Sequence, residues 1–149
     1  MPSADVHFNG SVNLAEAESV VREIVARVPS SLRRIPDGET GDRGNWIFFQ
    51  MQKFLQSPLL VPARPVGAEG DYEQVPQLRL ADGADPAQMR WPDLGYADAY
   101  LASYATFAAL RREGVIGDGV RFQVEYPTPL ASIGAYIVPE QQQVLLGSY

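Results

Sequence analysis

Seven apolar residues at helical spacing, Leu14, Ala17, Val20, Val21, Ile24, Val25 and Val28, lie between two short apolar runs. This pattern constrains the fold more than any other stretch. The first run, Val6-His7-Phe8-Asn9, alternates apolar and polar residues as a half-buried strand does. Gly10-Ser11 ends it, Asn13 is placed to cap a helix over 14–28 with Glu16 as its capping-box partner, and Pro29 stops that helix. The second run, Leu32 to Ile35, predicts another strand. Strand, helix and strand in this order open a parallel β-α-β unit.

Further elements extend the alternation. An aromatic-rich helix is expected over Asn45 to Gln56, and a long helix over Tyr96 to Glu113. The apolar face of the long helix is read as Ala97, Leu101, Tyr104, Ala105, Ala108 and Leu110, with Gly114 as its cap. Val120 to Tyr126 alternates strictly and predicts a strand ended by Pro127-Thr128-Pro129. A turn or short helix over Leu130 to Tyr136 follows, and Pro139 opens a last helix that reaches Tyr149. Residues 57–94 are punctuated by proline and glycine, with strand-like runs at Gln74–Leu80 and Met89–Trp91, and read as an insertion carrying a small hairpin. Two architectures fit: a small three-stranded α/β protein, or the first three units of a (β/α)8 barrel. The barrel accounts better for a sequence that ends within a helix. Residues 1–149 are thus expected to be the N-terminal portion of one barrel domain, with 57–94 inserted in it.

Charge and composition exclude several functions. A net charge of −6 and a pI near 4.7 leave no clustered basic surface for nucleic acid. With no Cys and one His, His7, the chain has no disulfide, no thiolate nucleophile and no Cys/His metal site of its own, and a Ser-His-Asp triad has little support. No signal-peptide pattern or membrane-length apolar run is visible, so a cytoplasmic location is expected, with no membrane partner.

The chemistry-bearing residues gather where strands end, the place at which parallel α/β folds bind ligands. Asn9-Gly10-Ser11 offers a close backbone approach and a hydroxyl. Asp37-Gly38-Glu39-Thr40-Gly41-Asp42-Arg43 offers an acid able to hold an ammonium or guanidinium and an arginine able to grip a carboxylate. Thr128, between prolines, would line a pocket wall. The glycine-bracketed loop reads equally well as a capped surface turn. It is not a phosphate loop, because no Lys follows its glycines. Alternation also places His7, Asn9, Arg34, Gln123 and Glu125 on the faces turned away from the helices. They form either a polar barrel interior, with Arg34 paired to Glu125, or the solvent side of a two-layer sheet. His7 fits a hydrogen-bonded structural role better than that of a catalytic base.

Gly10-Ser11 after the first strand, Asp37-Gly38-Glu39 with Arg43, and Asn45-Trp46-Ile47 on an aromatic helix together resemble the catalytic barrel of cobalamin-independent methionine synthase. Leu32 to Gly41 looks closer still to a bacterial and fungal branch of that superfamily, which also contains uroporphyrinogen decarboxylase. Leu94-Gly95-Tyr96-Ala97 and Tyr126-Pro127-Thr128-Pro129 extend the similarity. The resemblance implies a (β/α)8 barrel of which this chain forms the first three units. It also implies methyl transfer involving a thiol, with Gly10, Ser11 and Glu39 holding the amino-acid part of the substrate. The family's zinc ligands lie on later strands, so the cofactor expectation is none within this chain and zinc in the complete protein. The sequence departs from the family where Asn45-Trp46-Ile47 replaces Asn-Asp-Met, and in the 57–94 insertion. Two alternatives stand beside methyl transfer. One is a metal-independent decarboxylase in which Arg34 and Arg43 anchor carboxylates; the other is a truncated, non-catalytic binding fragment. On the first reading the partner is an amino-acid thiol. The isolated chain is expected to be inactive and to self-associate through exposed barrel edges.

Overall fold

The computed structural model describes residues 5–28, 30–63 and 77–149, which fall into two units. The architecture is mixed α/β, with five α-helices and a few three-residue strands among the described residues. These do not form a closed barrel.

The first unit comprises residues 1–46 and 95–125. Val6 donates its N–H to the Ser31 carbonyl at 2.9 Å and bridges Leu32 in parallel, so the first expected strand is a single bridge. Helix α1 (Ala17–Arg27) returns the chain to strand β1 (Arg34–Pro36). Strand β1 pairs in parallel with a later strand of this unit, Arg121–Gln123, in the register Arg34 to Arg121, Ile35 to Phe122 and Pro36 to Gln123. The 17-residue helix Tyr96–Arg112 precedes that strand. One core joins these elements. Val20, Val21 and Ile24 of α1 pack with Ile35, Phe107, Leu110, Ile116 and Val120, all buried, and Phe122 joins from the edge.

The structure corrects several local expectations. Helix α1 starts three residues later than its apolar spacing, and neither Asn13 nor Glu16 caps it through a side chain. The Val12 N–H is spent on the Gly38 carbonyl at 3.0 Å, which holds the preceding segment against the loop after β1. The long helix buries Tyr96, Tyr100, Ser103, Phe107 and Leu110, whereas Leu101 and Tyr104, read as its inner face, are 69% and 51% exposed. Aromatic residues four and seven apart outweigh the alanine-rich stripe because they bury more area.

The second unit comprises residues 47–94 and 126–149. Helix α2 (Trp46–Phe54) leads into strand β2 (Leu60–Pro62), which pairs antiparallel with β3 (Leu78–Leu80). Of the run read as Gln74–Leu80, residues 74–76 lie outside the described residues. Met89–Trp91 is not a strand; it follows a 3-10 turn at Pro86–Gln88. With the long helix of the first unit as α3 and Arg121–Gln123 as β4, the last helices are α4 (Pro129–Tyr136) and α5 (Pro139–Leu146). Phe54 is the hub of this unit. Its ring lies 4.9 Å from Trp91, 5.5 Å from Tyr136 and 6.0 Å from Tyr149. Buried Gln50 is satisfied by Ser132 Oγ at 3.0 Å. No helix among the described residues is long and apolar enough to cross a membrane.

Candidate functional site

The carboxyl ends of the parallel segments in the first unit carry an acidic cluster built around Gly10. Gly10 has φ +75°, a left-handed conformation that glycine adopts without strain. A Cβ there would overlap Glu125 Oε2 and lie 3.6 Å from Glu39 Cδ, so two carboxylates converge on one glycine. Ser11 donates its hydroxyl proton to Glu39 Oε2, across 28 residues of chain. Glu39 is the one non-glycine residue among those described with positive φ, at 52°. Left-handed backbone costs such a residue about 1 kcal/mol or more. Its N–H donates to Asp37 Oδ1 at 3.1 Å, which helps hold the turn.

Asp37 and Arg43 are buried, 2% and 5% exposed, and ion-paired through Arg43 Nη2 and Asp37 Oδ2. Arg43 Cζ sits 4.8 Å from the ring centroid of Tyr100, a cation–π contact. Arg43 Nη1 is buried without a hydrogen-bond partner among the described residues. Asp37 is thus occupied by Arg43 and the Glu39 N–H, which leaves Glu39 and Glu125 as the carboxylates with acceptor capacity to spare.

Glu125 is held from two sides. Gln123 Nε2 donates to Glu125 Oε1 and also to the Phe8 carbonyl, the latter at 2.7 Å. The Tyr100 hydroxyl donates to the Glu125 carbonyl and accepts from the Glu125 N–H at 3.1 Å. Burial pushes the Tyr100 phenol above its ordinary value, and the hydrogen bond to the Glu125 backbone opposes that shift. Among nearby charges, Asp37 and Glu39 raise it and Arg43 lowers it.

The structure therefore brings Gly10, Ser11, Asp37, Glu39, Arg43, Gln123 and Glu125 into one neighbourhood. It does not bring Arg34 there, and the expected Arg34–Glu125 pair is absent. Arg34 is exposed at the start of β1, abreast of Arg121. Glu125 lies four residues beyond Arg121, about 13 Å along an extended chain. His7 and Asn9 are exposed, and His7 lies in a cleft with Arg34 rather than at the cluster. Thr128 belongs to the second unit, where its hydroxyl caps α4 by accepting from the Ala131 N–H at 3.1 Å. Tyr100 is the residue that sequence reasoning missed. Its signal was the spacing Tyr96, Tyr100, Ser103, Phe107, which marks one helix face.

A zinc ion does not fit this cluster: the chain has no Cys, its one His lies elsewhere, and no His/Cys/Asp/Glu group among the described residues has metal-binding geometry. Comparison with protein-family models gives no match, and comparisons with curated proteins and with solved structures give none either.

Proposed function

We propose that this chain is the N-terminal portion of a methionine-synthase-like (β/α)8 barrel whose complete form transfers a methyl group to or from a thiol. The acidic cluster binds the amino-acid end of the substrate. The observation that carries this reading is the convergence of Ser11, Glu39 and Glu125 on Gly10 at the carboxyl ends of parallel segments. Two carboxylates with spare acceptor capacity suit a primary ammonium, which brings three donors. On this reading Gly10 and Ser11 meet the substrate carboxylate, the Ser11 hydroxyl turning to it from Glu39 as the ammonium takes its place there. Asp37 and Arg43 brace the turn from beneath. The sulfur chemistry belongs to residues beyond this cluster, and no step of it is assigned to the groups described above.

Calorimetric titration of L-homocysteine, and of L-methionine as its methylated counterpart, tests the assignment. Glu39→Gln is expected to weaken binding roughly tenfold or more, the loss of one charge-assisted contact. Unchanged affinity would remove Glu39 from the amine-binding role.

A further inference from the structure

At the opposite, amino ends of the same strands lies a cleft of about 470 Å³ lined by Asp5, Val6, His7, Arg33, Arg34, Gly119 and Arg121. Three arginines line it against one acidic residue, in a chain whose net charge is −6. Arg34 and Arg121 are direct partners in the parallel register, so their side chains leave the same face of the ladder side by side. Their neighbours Ile35 and Phe122 turn the other way, into or against the core. Like charges directly abreast in a sheet repel. Neither Arg34 nor Arg121 has an ion-pair partner among the described residues, whereas Arg33 is held by Asp5 at 3.1 Å. Gly119 adds no side chain, and the space where its Cβ would project is open. His7 contributes a ring N–H donor to the same wall.

We infer that this cleft is a binding site for a phosphate-class dianion, either the free ion or the phosphate group of a small monoester. A tetrahedral dianion between Arg34 and Arg121 converts their mutual repulsion into two charge-assisted contacts, and guanidinium forks match phosphate oxygens in pairs. The acidity of the rest of the molecule repels anions at long range, so binding here has to come from the local arginines. The site is independent of the acidic cluster and of the function proposed for it.

Titration calorimetry of the full chain at fixed ionic strength, with inorganic phosphate and with glycerol 3-phosphate, tests the inference. Both are expected to bind in excess of a chloride control. The double variant Arg34→Gln/Arg121→Gln is expected to weaken binding about tenfold or more. Asp5→Asn, which removes the one carboxylate and frees Arg33, is expected to tighten it severalfold. Arg112→Gln, exposed on α3, serves as the control and is expected to leave binding unchanged. Tighter binding of the ester assigns the site to a metabolite's phosphate, and equal binding assigns it to the free ion. Heats no larger than those of chloride, or equal affinity in the wild type and the double variant, would overturn the site.

Discussion

Asp37 and Arg43 form an ion pair with almost no access to water, and such a pair is costly to break from one side. Asp37→Ala strands the Arg43 guanidinium, one of whose nitrogens already has no hydrogen-bond partner among the described residues. The variant is expected to lose about 3–5 kcal/mol in urea unfolding; a loss under about 1 kcal/mol would mean that water reaches the pair. Tyr100 sets a pH dependence. Its phenol is held above its ordinary value of 10.0, so the folded chain keeps a proton that the unfolded chain releases first. That contribution is intact below pH 10 and is lost as pH rises from there through the folded value. Tyr100→Phe is expected to flatten the decline of melting temperature above pH 10, and an unchanged slope would contradict the assignment. At this scale Gly10, Ser11, Asp37, Glu39 and Arg43 were legible, because glycines bracket charged residues where a strand ends. The Arg34–Glu125 pairing was not. Alternation tells which face a side chain leaves but not how far along the strand its partner lies.

The elements owe their positions to a few backbone choices that local pattern does not display. Gly38 has φ +84°, and a Cβ there would lie 2.6 Å from Val20 Cγ2 and 3.1 Å from Val20 Cγ1. The loop after β1 can thus rest directly on α1. Gly38→Ala is expected to destabilise the chain by about 1–3 kcal/mol in thermal or urea unfolding. Adding Val20→Ala should recover only the steric part, since the left-handed backbone remains. Ile35, fully buried at the centre of β1, should cost about 2–5 kcal/mol as Ile35→Ala. The order of helices and the parallel direction of β1 and β4 followed from apolar periodicity, but the lengths did not. Alternation over Val120 to Tyr126 promised seven residues of strand and three form. The Glu125 N–H goes to the Tyr100 hydroxyl, and Val124 and Tyr126 stay 45% and 59% exposed. Residues 14–16 stay out of α1, and the segment before them is tied to the loop after β1 through the Val12 N–H. In both places the backbone bonds to a group distant in sequence, which leaves no trace in periodicity.

At the scale of the molecule, two opposed charge clusters sit at the two ends of one short parallel ladder, the acids beyond its carboxyl ends and the arginines at its amino ends. As the first units of a barrel, the chain would leave apolar surface uncovered, and Leu101, Tyr104 and Val124 are exposed in the first unit. Sedimentation velocity is therefore expected to show species larger than 16.4 kDa that grow with concentration. A single 16.4 kDa species throughout would count against the barrel reading. The central claim, however, is that Glu39 and Glu125, which converge on Gly10, receive the ammonium end of an amino-acid thiol. Titration of L-homocysteine into the wild-type chain and into Glu39→Gln measures it most directly. Saturable binding that weakens roughly tenfold or more in the variant is the predicted result; equal affinity in both, or no binding to the wild type, would contradict it.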